Sequence, residues 1–178
     1  MTTVEITASS TMKEVLDAFP SAHRSLMRRY HIGGCSSCGF TPTEHLGDVL
    51  KRHSVLDVGE VIAHIQDSHE QEQRIQVDPK ELSEALKGDA PPKLLDVRSS
   101  EEMDIAKIDG AMLATQDLVE EMMASWPKDA PIVTYCHKGL RSLEAASYLI
   151  GHGFTNVRTL RGGVDAWSEE IDSSIARY

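Results

Sequence analysis

The stretch "PIVTYCHKGLRS", residues 131–142, decides the fold of the second half of this chain. A short apolar run ends at Tyr135, Cys136 follows directly, and a helical stretch begins near Arg141. A buried strand that leads through a short loop into a helix is typical of parallel α/β proteins. We therefore expect Cys136 at the carboxyl end of a strand, where ligand sites in such sheets lie.

The same alternation of strands and helices continues on both sides of this stretch. The strands are predicted near residues 75–77, 93–97, 111–114, 131–135 and 156–160, and the helices near 80–86, 100–106, 116–124, 141–151 and 164–171. Asp78 and Glu81 have capping-box spacing at the start of the first of these helices. Residues 75–178 are therefore predicted to form an α/β domain with a five-stranded, mainly parallel sheet and helices on both faces.

The front of the chain has a different pattern. Thr11 and Glu14, and again Asp57 and Glu60, have capping-box spacing ahead of apolar stretches, which predicts short helices. Residues 1–66 are therefore predicted to form a small all-α domain. Residues 67–74 carry almost no apolar side chains and are predicted to be a linker or a solvated helix end.

Composition narrows the class of function. The 178 residues are 26% charged and 40% apolar, as in ordinary soluble proteins, and the net charge is −10. That charge, without a basic cluster, argues against a nucleic-acid partner. No apolar run approaches the roughly 20 residues that span a bilayer, and the start does not resemble a signal peptide. We expect a cytoplasmic protein with no membrane partner.

Cys136 is one of three cysteines, and its neighbours indicate chemistry rather than a disulfide framework. A cysteine attacks as the thiolate, a form that a helix N-terminus and nearby cations favour. Lys138 and Arg141 supply positive charge, and Gly139 permits the torsions that turn several backbone amides toward one point. The alternative is that Cys136 is simply a small buried apolar residue.

Four stretches of the second half resemble the rhodanese family of sulfurtransferases over residues 75–171. They are "LLDVRSSEEM" at 94–103, "IDGAMLA" at 108–114, "CHKGLRS" at 136–142 and "LRGGVDAW" at 160–167. The resemblance implies a rhodanese-like fold and a persulfide formed on Cys136 from a small-molecule donor such as thiosulfate, polysulfide or a persulfide. It also implies that the persulfide is cradled by the backbone amides of His137, Lys138, Gly139, Leu140 and Arg141, and that Lys138 and Arg141 attract an anionic donor. No cofactor is implied.

Two alternative functions bear on this interpretation. Cysteine phosphatases place five residues between cysteine and arginine, whereas only four separate Cys136 from Arg141, and this tighter ring favours sulfur over phosphate. Rhodanese folds also occur as inactive binding or regulatory modules.

Asp96 and Arg98 match the family's D-x-R pattern, and we expect an ion pair of Arg98 with Glu101 or Glu102 rather than a catalytic role.

Cys35 and Cys38 form a C-x-x-C pair in the front domain. Two thiols at this spacing serve disulfide exchange. With "HIGGCSSCGFTPTEHLGDVL", residues 31–50, the pair resembles a small helical redox-disulfide domain noted alongside hybrid-cluster proteins. The spacing of His45 and His53 does not fit a finger-type zinc site, so redox is favoured over a metal site or a structural loop.

These features together predict how sulfur would leave Cys136. The expected acceptor is a thiol or dithiol: the Cys35 and Cys38 pair itself, glutathione or a thioredoxin-like protein.

Overall fold

The computed structural model of the protein describes residues 5–33 and 39–178. The chain divides into two compact units, with the boundary between Arg74 and Ile75. Each unit has its own apolar core, so each is described by itself.

The first unit is helical in its described residues, which agrees with the predicted all-α domain. Its helices are α1 (Met12–Ala18), α2 (Ala22–Tyr30), α3 (Leu46–Arg52) and α4 (Val58–Ile75), the last of which ends at the unit boundary. Thr11 and Glu14 form the predicted capping box at the start of α1. The amide of Glu60 donates to Asp57 Oδ1 at 2.9 Å, as the second predicted box requires. Apolar residues from all four helices form one core, among them Met12, Leu26, Leu50 and Ile65.

Residues 67–74, expected as a linker or a solvated helix end, are the last two turns of helix α4. Two of their polar side chains have partners on α2 or at its start: Arg24 Nη2 lies 2.5 Å from Glu72 Oε2, and Ser21 Oγ lies 3.3 Å from His69 Nδ1. The helix persists although few apolar side chains are present, because these polar contacts attach it to its neighbour. The segment is therefore not an irregular linker.

The second unit contains a five-stranded sheet among its described residues. Its elements are β1 (Gln76–Val77), α5 (Pro79–Leu86), β2 (Lys93–Asp96), α6 (Ser100–Ile105), β3 (Met112–Leu113), α7 (Gln116–Ser125), β4 (Ile132–Tyr135), α8 (Leu140–Gly151), β5 (Val157–Leu160) and α9 (Gly163–Glu170). The strand order is β1-β5-β4-β2-β3 and the recorded pairings are parallel. The predicted mainly parallel sheet is confirmed.

Helices cover both faces of this sheet, as predicted. On one face, Leu82 of α5 and Trp167 of α9 pack with Val133 and other residues that point to that side. On the other face, Met122 of α7 and Leu149 of α8 pack with Leu95 and its neighbours. Because the strands are parallel, their carboxyl ends share one edge of the sheet. β4 lies between β5 and β2, so the residue that follows it, Cys136, comes at the middle of that edge.

One predicted detail of the second unit is wrong. Asp78 precedes α5 as expected, but its side chain makes no capping hydrogen bond. The carboxylate instead binds the guanidinium of Arg161, and Glu81 Oε1 binds Arg158 Nη1 at 2.5 Å. Both arginines lie on or directly after β5, a partner strand that local sequence spacing does not reveal.

Among residues 5–33 and 39–178, no helix combines the length and the low polarity that crossing a membrane requires. Within the same ranges, no group of three or more His, Cys, Asp or Glu side chains is arranged to hold a metal ion.

Candidate active site

The Cys136 loop, residues 136–139, connects the central strand β4 to helix α8. Cys136 follows the last residue of β4 and is 2% exposed. Gly139 is the N-cap of α8 and has a φ of 88° and a ψ of −6°, a left-handed conformation that suits glycine. The chain thereby turns from strand to helix within a few residues and brings the amino end of α8 back toward the cysteine.

The sulfur of Cys136 already receives one hydrogen bond from this loop. The amide of Gly139 donates to Cys136 Sγ over 3.2 Å. The first amides of a helix have no acceptor within the helix, so those at the start of α8 also point out of its amino end. A negative charge that forms at the sulfur would therefore meet backbone donors and the positive end of the helix dipole.

Helix α9 binds the backbone of the Cys136 loop through two hydrogen bonds. The amide of Val164 donates to the carbonyl of Cys136 over 2.9 Å, and the amide of Asp165 donates to the carbonyl of His137 over 3.1 Å. This approach depends on Gly163, where a Cβ would lie 2.3 Å from the Cys136 carbonyl oxygen and 2.4 Å from that of His137. The glycines of "LRGGVDAW" thus let α9 dock directly on the loop backbone.

Three buried hydroxyl groups attach the start of α8 to the sheet. Thr134 Oγ1 donates to the carbonyl of Ser142 over 2.9 Å, and Thr159 Oγ1 donates to Ser142 Oγ over 2.8 Å. Ser142 Oγ in turn donates to the carbonyl of Gly139 over 3.1 Å. All three side chains are at most 1% exposed. The position of the loop is therefore set by strands β4 and β5.

The positive charge of Arg141 is compensated by a neighbouring carboxylate. Its Nη1 and Nη2 donate to Glu102 Oε2 and Oε1 over 2.7 and 2.5 Å, a bidentate ion pair. The hydrogen bonds from Arg141 are the main cause that lowers the pKa of Glu102 to about 2. The pair also raises the pKa of Arg141 above its usual value. The sequence indicates this cation but not the carboxylate that compensates its charge.

Comparison with known proteins agrees with this arrangement. The family model described as "Rhodanese-like domain" matches residues 78–170 of the 178. The chain belongs to the rhodanese-like domain family. The match confirms the predicted resemblance and its approximate bounds, 75–171. The predicted resemblance of the front part to a redox-disulfide domain stays a prediction.

Individual relatives of the rhodanese-like domain cover the same part of the chain. A protein named sulfurtransferase, from Allochromatium vinosum, is 34% identical over 93 residues, which are 52% of this chain and 87% of that protein. A probable adenylyltransferase/sulfurtransferase, MoeZ, of Mycobacterium tuberculosis is 36% identical over 104 residues, 57% of this chain; the match spans only 26% of that longer relative. The solution structure of a rhodanese-like domain from Anabaena sp. is 31% identical, covers 53% of this chain and 74% of that chain, and has a TM-score of 0.49.

The D-x-R pattern of the rhodanese-like domain is an internal ion pair. Arg98 Nε and Nη2 donate to Asp96 over 2.8 and 2.5 Å, and both side chains are fully buried. The predicted partners of Arg98, Glu101 and Glu102, are therefore wrong. Arg98 also donates to the carbonyl of Ala106, so the pair fixes the end of α6 to the carboxyl end of β2.

Tyr178 lies beside the Cys136 loop, a position that no sequence motif indicated. Its ring stacks on that of His137, with centroids 4.3 Å apart and an interplanar angle of 11°. Its hydroxyl accepts from Arg98 Nη1 over 2.7 Å and donates to Glu102 Oε1 over 3.3 Å. Tyr178 thereby connects the core ion pair of Arg98 to the ion pair of Arg141.

The structure thus places the predicted loop residues together at one edge of the sheet. Lys138 and Leu140 are exposed, His137 is partly buried, and Gly139 contacts the sulfur. The predicted redox pair, Cys35 and Cys38, lies outside the described residues.

Proposed function

We propose that this protein is a sulfurtransferase that takes a sulfane sulfur onto Cys136 and passes it to a thiol acceptor. The observation that carries the proposal is the hydrogen bond from the Gly139 amide to Cys136 Sγ, within a loop that turns into the amino end of α8. The names of the relatives, two of which are called sulfurtransferases in whole or in part, agree with it.

In the first half-reaction, the Cys136 thiolate attacks the outer sulfur of a donor such as thiosulfate, a polysulfide or a persulfide. A bond forms between Cys136 Sγ and that sulfur, and the bond between the outer sulfur and the rest of the donor breaks. With thiosulfate, sulfite leaves with the electron pair. The product is a Cys136 persulfide anion, so the total charge of the reactants is conserved.

Backbone amides would stabilise the persulfide anion as an intermediate. The Gly139 amide already contacts Sγ, and the outer sulfur would extend toward the amino end of α8, where Leu140 and Arg141 begin the helix. Fixed donors of this kind stabilise a developing charge because they need no reorganisation during the reaction. Helix α9 and the buried hydroxyl groups hold the Cys136 loop, and this keeps the backbone donors in place.

The second half-reaction returns Cys136 to the thiolate. We propose that Cys35 or Cys38 attacks the outer sulfur of the persulfide, after which the other thiol attacks the new persulfide and releases sulfide. The sulfur is reduced and the pair is oxidised to a disulfide, which a cellular dithiol such as a thioredoxin-like protein would reduce again. This step rests on the C-x-x-C sequence alone; glutathione is the other acceptor of the same chemical class.

Steady-state assays test the first half-reaction. With thiosulfate or an organic persulfide as donor and cyanide as acceptor, the wild-type protein is expected to produce thiocyanate. Cys136→Ser, which keeps the size of the side chain but removes the nucleophile, is expected to fall to the rate of buffer alone. Unchanged activity in that variant contradicts the proposal, and wild-type activity at the buffer rate with both donors identifies a binding module.

A separate comparison tests the role of the front pair. The variant with Cys35→Ser and Cys38→Ser is expected to keep thiocyanate production, because cyanide replaces the thiol acceptor. With the donor removed and no external thiol or cyanide added, the persulfidated wild type is expected to release sulfide as the pair forms a disulfide, whereas this variant is expected to retain the sulfur on Cys136. Equal sulfide release by the variant and the wild type would show that the pair is not the acceptor, and stoichiometric zinc or iron in the purified protein would assign it to a metal site.

A further inference from the structure

The ion pair between Glu102 and Arg141 stands next to the sulfur site. Both guanidinium Nη atoms of Arg141 are bound by the Glu102 carboxylate, at 2.7 and 2.5 Å. Arg141 is the second residue of α8, directly after the turn whose Gly139 amide contacts Cys136 Sγ, so the ion pair stands at the same helix end as the sulfur. A donor that approaches Cys136 therefore meets a compensated charge.

The Glu102 carboxylate is fixed in this position by two further hydrogen bonds. It completes the capping box of α6, where the Ser99 amide donates to Glu102 Oε2 over 3.2 Å. The hydroxyl of Tyr178 donates to Glu102 Oε1 over 3.3 Å, and the Tyr178 ring is itself stacked on His137. A carboxylate anchored on both oxygens stays with Arg141 when a donor arrives.

The other cations around the loop are either paired or exposed. Arg98 is bound within the core by Asp96, and Arg177 pairs with Asp165 next to the loop. Lys138 and Arg141 are both exposed, and Arg141 is bound by the carboxylate of Glu102. Glu102 therefore opposes the part of the attraction for an anionic donor that Arg141 supplies.

We propose that Glu102 is a specificity-determining residue, which disfavours doubly charged donors such as thiosulfate and leaves the Cys136 loop suited to donors with a single negative charge, such as organic thiosulfonates or simple alkyl persulfides. This inference rests on the proposed sulfur transfer to Cys136 and adds the charge class of the donor.

Two donors with the same reacting bond isolate the effect of charge. Thiosulfate carries two negative charges and loses sulfite, whereas methanethiosulfonate carries one and loses methanesulfinate. In each case the Cys136 thiolate attacks the outer sulfur, the bond from that sulfur to the oxygen-bearing sulfur breaks with its electron pair, and the same Cys136 persulfide forms. The ratio of kcat/KM for thiosulfate to that for methanethiosulfonate therefore reports the electrostatic preference.

The decisive variant is Glu102→Gln, which removes one negative charge and keeps a side chain that can complete a capping box. We take a separation of about 8 Å between the Glu102 carboxylate and the bound donor and an effective dielectric constant of about 40–80. One negative charge on Glu102 then alters the preference between the two donors about two- to sixfold. The ratio is thus expected to rise about two- to sixfold. Glu101→Gln removes the same charge from an exposed position of the same helical turn and is expected to change the ratio by less than about 1.5-fold.

Glu102→Asp separates charge from shape. It keeps the negative charge but shortens the side chain, so the ratio is expected to stay within about 1.5-fold of that of the wild type, and a rise as large as that of Glu102→Gln would assign the effect to lost side-chain contacts and overturn the inference. An unchanged or lower ratio in Glu102→Gln, or an equal rise in Glu101→Gln, overturns the inference while the proposed function stands. If neither donor is used by any variant that retains Cys136, the proposed function fails and the inference falls with it.

Discussion

Replacement of Gly163 by alanine tests how the Cys136 loop is held. Gly163 has a φ of +64°, and an added Cβ would lie 2.3 Å from the carbonyl oxygen of Cys136 and 2.4 Å from that of His137. The obstacles are backbone atoms of the loop itself, so no flexible side chain can move aside. Gly163→Ala must therefore push α9 away from the loop.

The expected loss of stability follows from these contacts. A left-handed conformation costs a residue with a Cβ roughly 1–2 kcal/mol. Displacement of α9 also breaks the hydrogen bonds from the amides of Val164 and Asp165 to the loop carbonyls, each of which contributes about 1 kcal/mol. The free energy of unfolding of the second unit is therefore expected to fall by about 3–4 kcal/mol.

Urea denaturation followed by tryptophan fluorescence measures this loss selectively. The chain has two tryptophans, Trp126 and Trp167, and both belong to the second unit. With an m-value of about 1.5–2 kcal/mol/M, the midpoint for Gly163→Ala is expected about 2 M below that of the wild type. Gly151→Ala is the matched control, because a Cβ there meets nothing within 4 Å, and it is expected to change stability by less than about 1 kcal/mol. A loss below about 1 kcal/mol for Gly163→Ala would refute the packing argument.

Further variants test the buried polar contacts. Ser142→Ala leaves the Thr159 hydroxyl without its acceptor and is expected to lower the free energy of unfolding by about 1–3 kcal/mol; a midpoint equal to the wild type would contradict this. Arg98→Met leaves the buried Asp96 carboxylate uncompensated and is expected to lower the free energy of unfolding by about 3–5 kcal/mol. A loss under about 1 kcal/mol would show that the Asp96 carboxylate can reach water in the variant. The pKa of Glu102 is lowered to about 2, so its stabilising effect is present above about pH 4.5 and is lost as the pH falls toward 2. Glu102→Gln is therefore expected to be less stable than the wild type at pH 6 but not at pH 2, and a constant difference across that range would contradict the ion pair.

Local sequence was sufficient to predict the sulfur loop. The apolar run that ends at Tyr135, the glycine at 139 and the helical stretch after it determine a strand, a turn and a helix from neighbours along the chain. The contact from the Gly139 amide to Cys136 Sγ is a direct result of that turn. The mainly parallel sheet and the presence of helices on both faces follow from the same local alternation, and the family resemblance agrees with them.

Contacts between distant residues could not be predicted in the same way. Glu102 and Arg141 are separated by 39 positions, and they become partners because β2 and β4, the strands that precede their helices, are neighbours in the sheet. Asp78 was expected to cap its own helix, but Arg161 of the neighbouring strand end competes for the carboxylate. Gly163 stands in a motif that was noted only as a resemblance, because the reason for its glycine is a backbone contact with the Cys136 loop. In each case the deciding partner lies on another element.

Cys136 is proposed to carry the transferred sulfur. Because the chain has three cysteines, the variant with Cys35→Ser and Cys38→Ser retains Cys136 as its only thiol. After treatment with thiosulfate or an organic persulfide and removal of the donor, its intact mass is expected to rise by about 32 Da, one sulfur atom, and cyanide is expected to reverse the gain. The same variant with Cys136→Ser added is expected to show no gain. A gain of one sulfur in that cysteine-free protein, or none in the protein that retains Cys136, would contradict the claim.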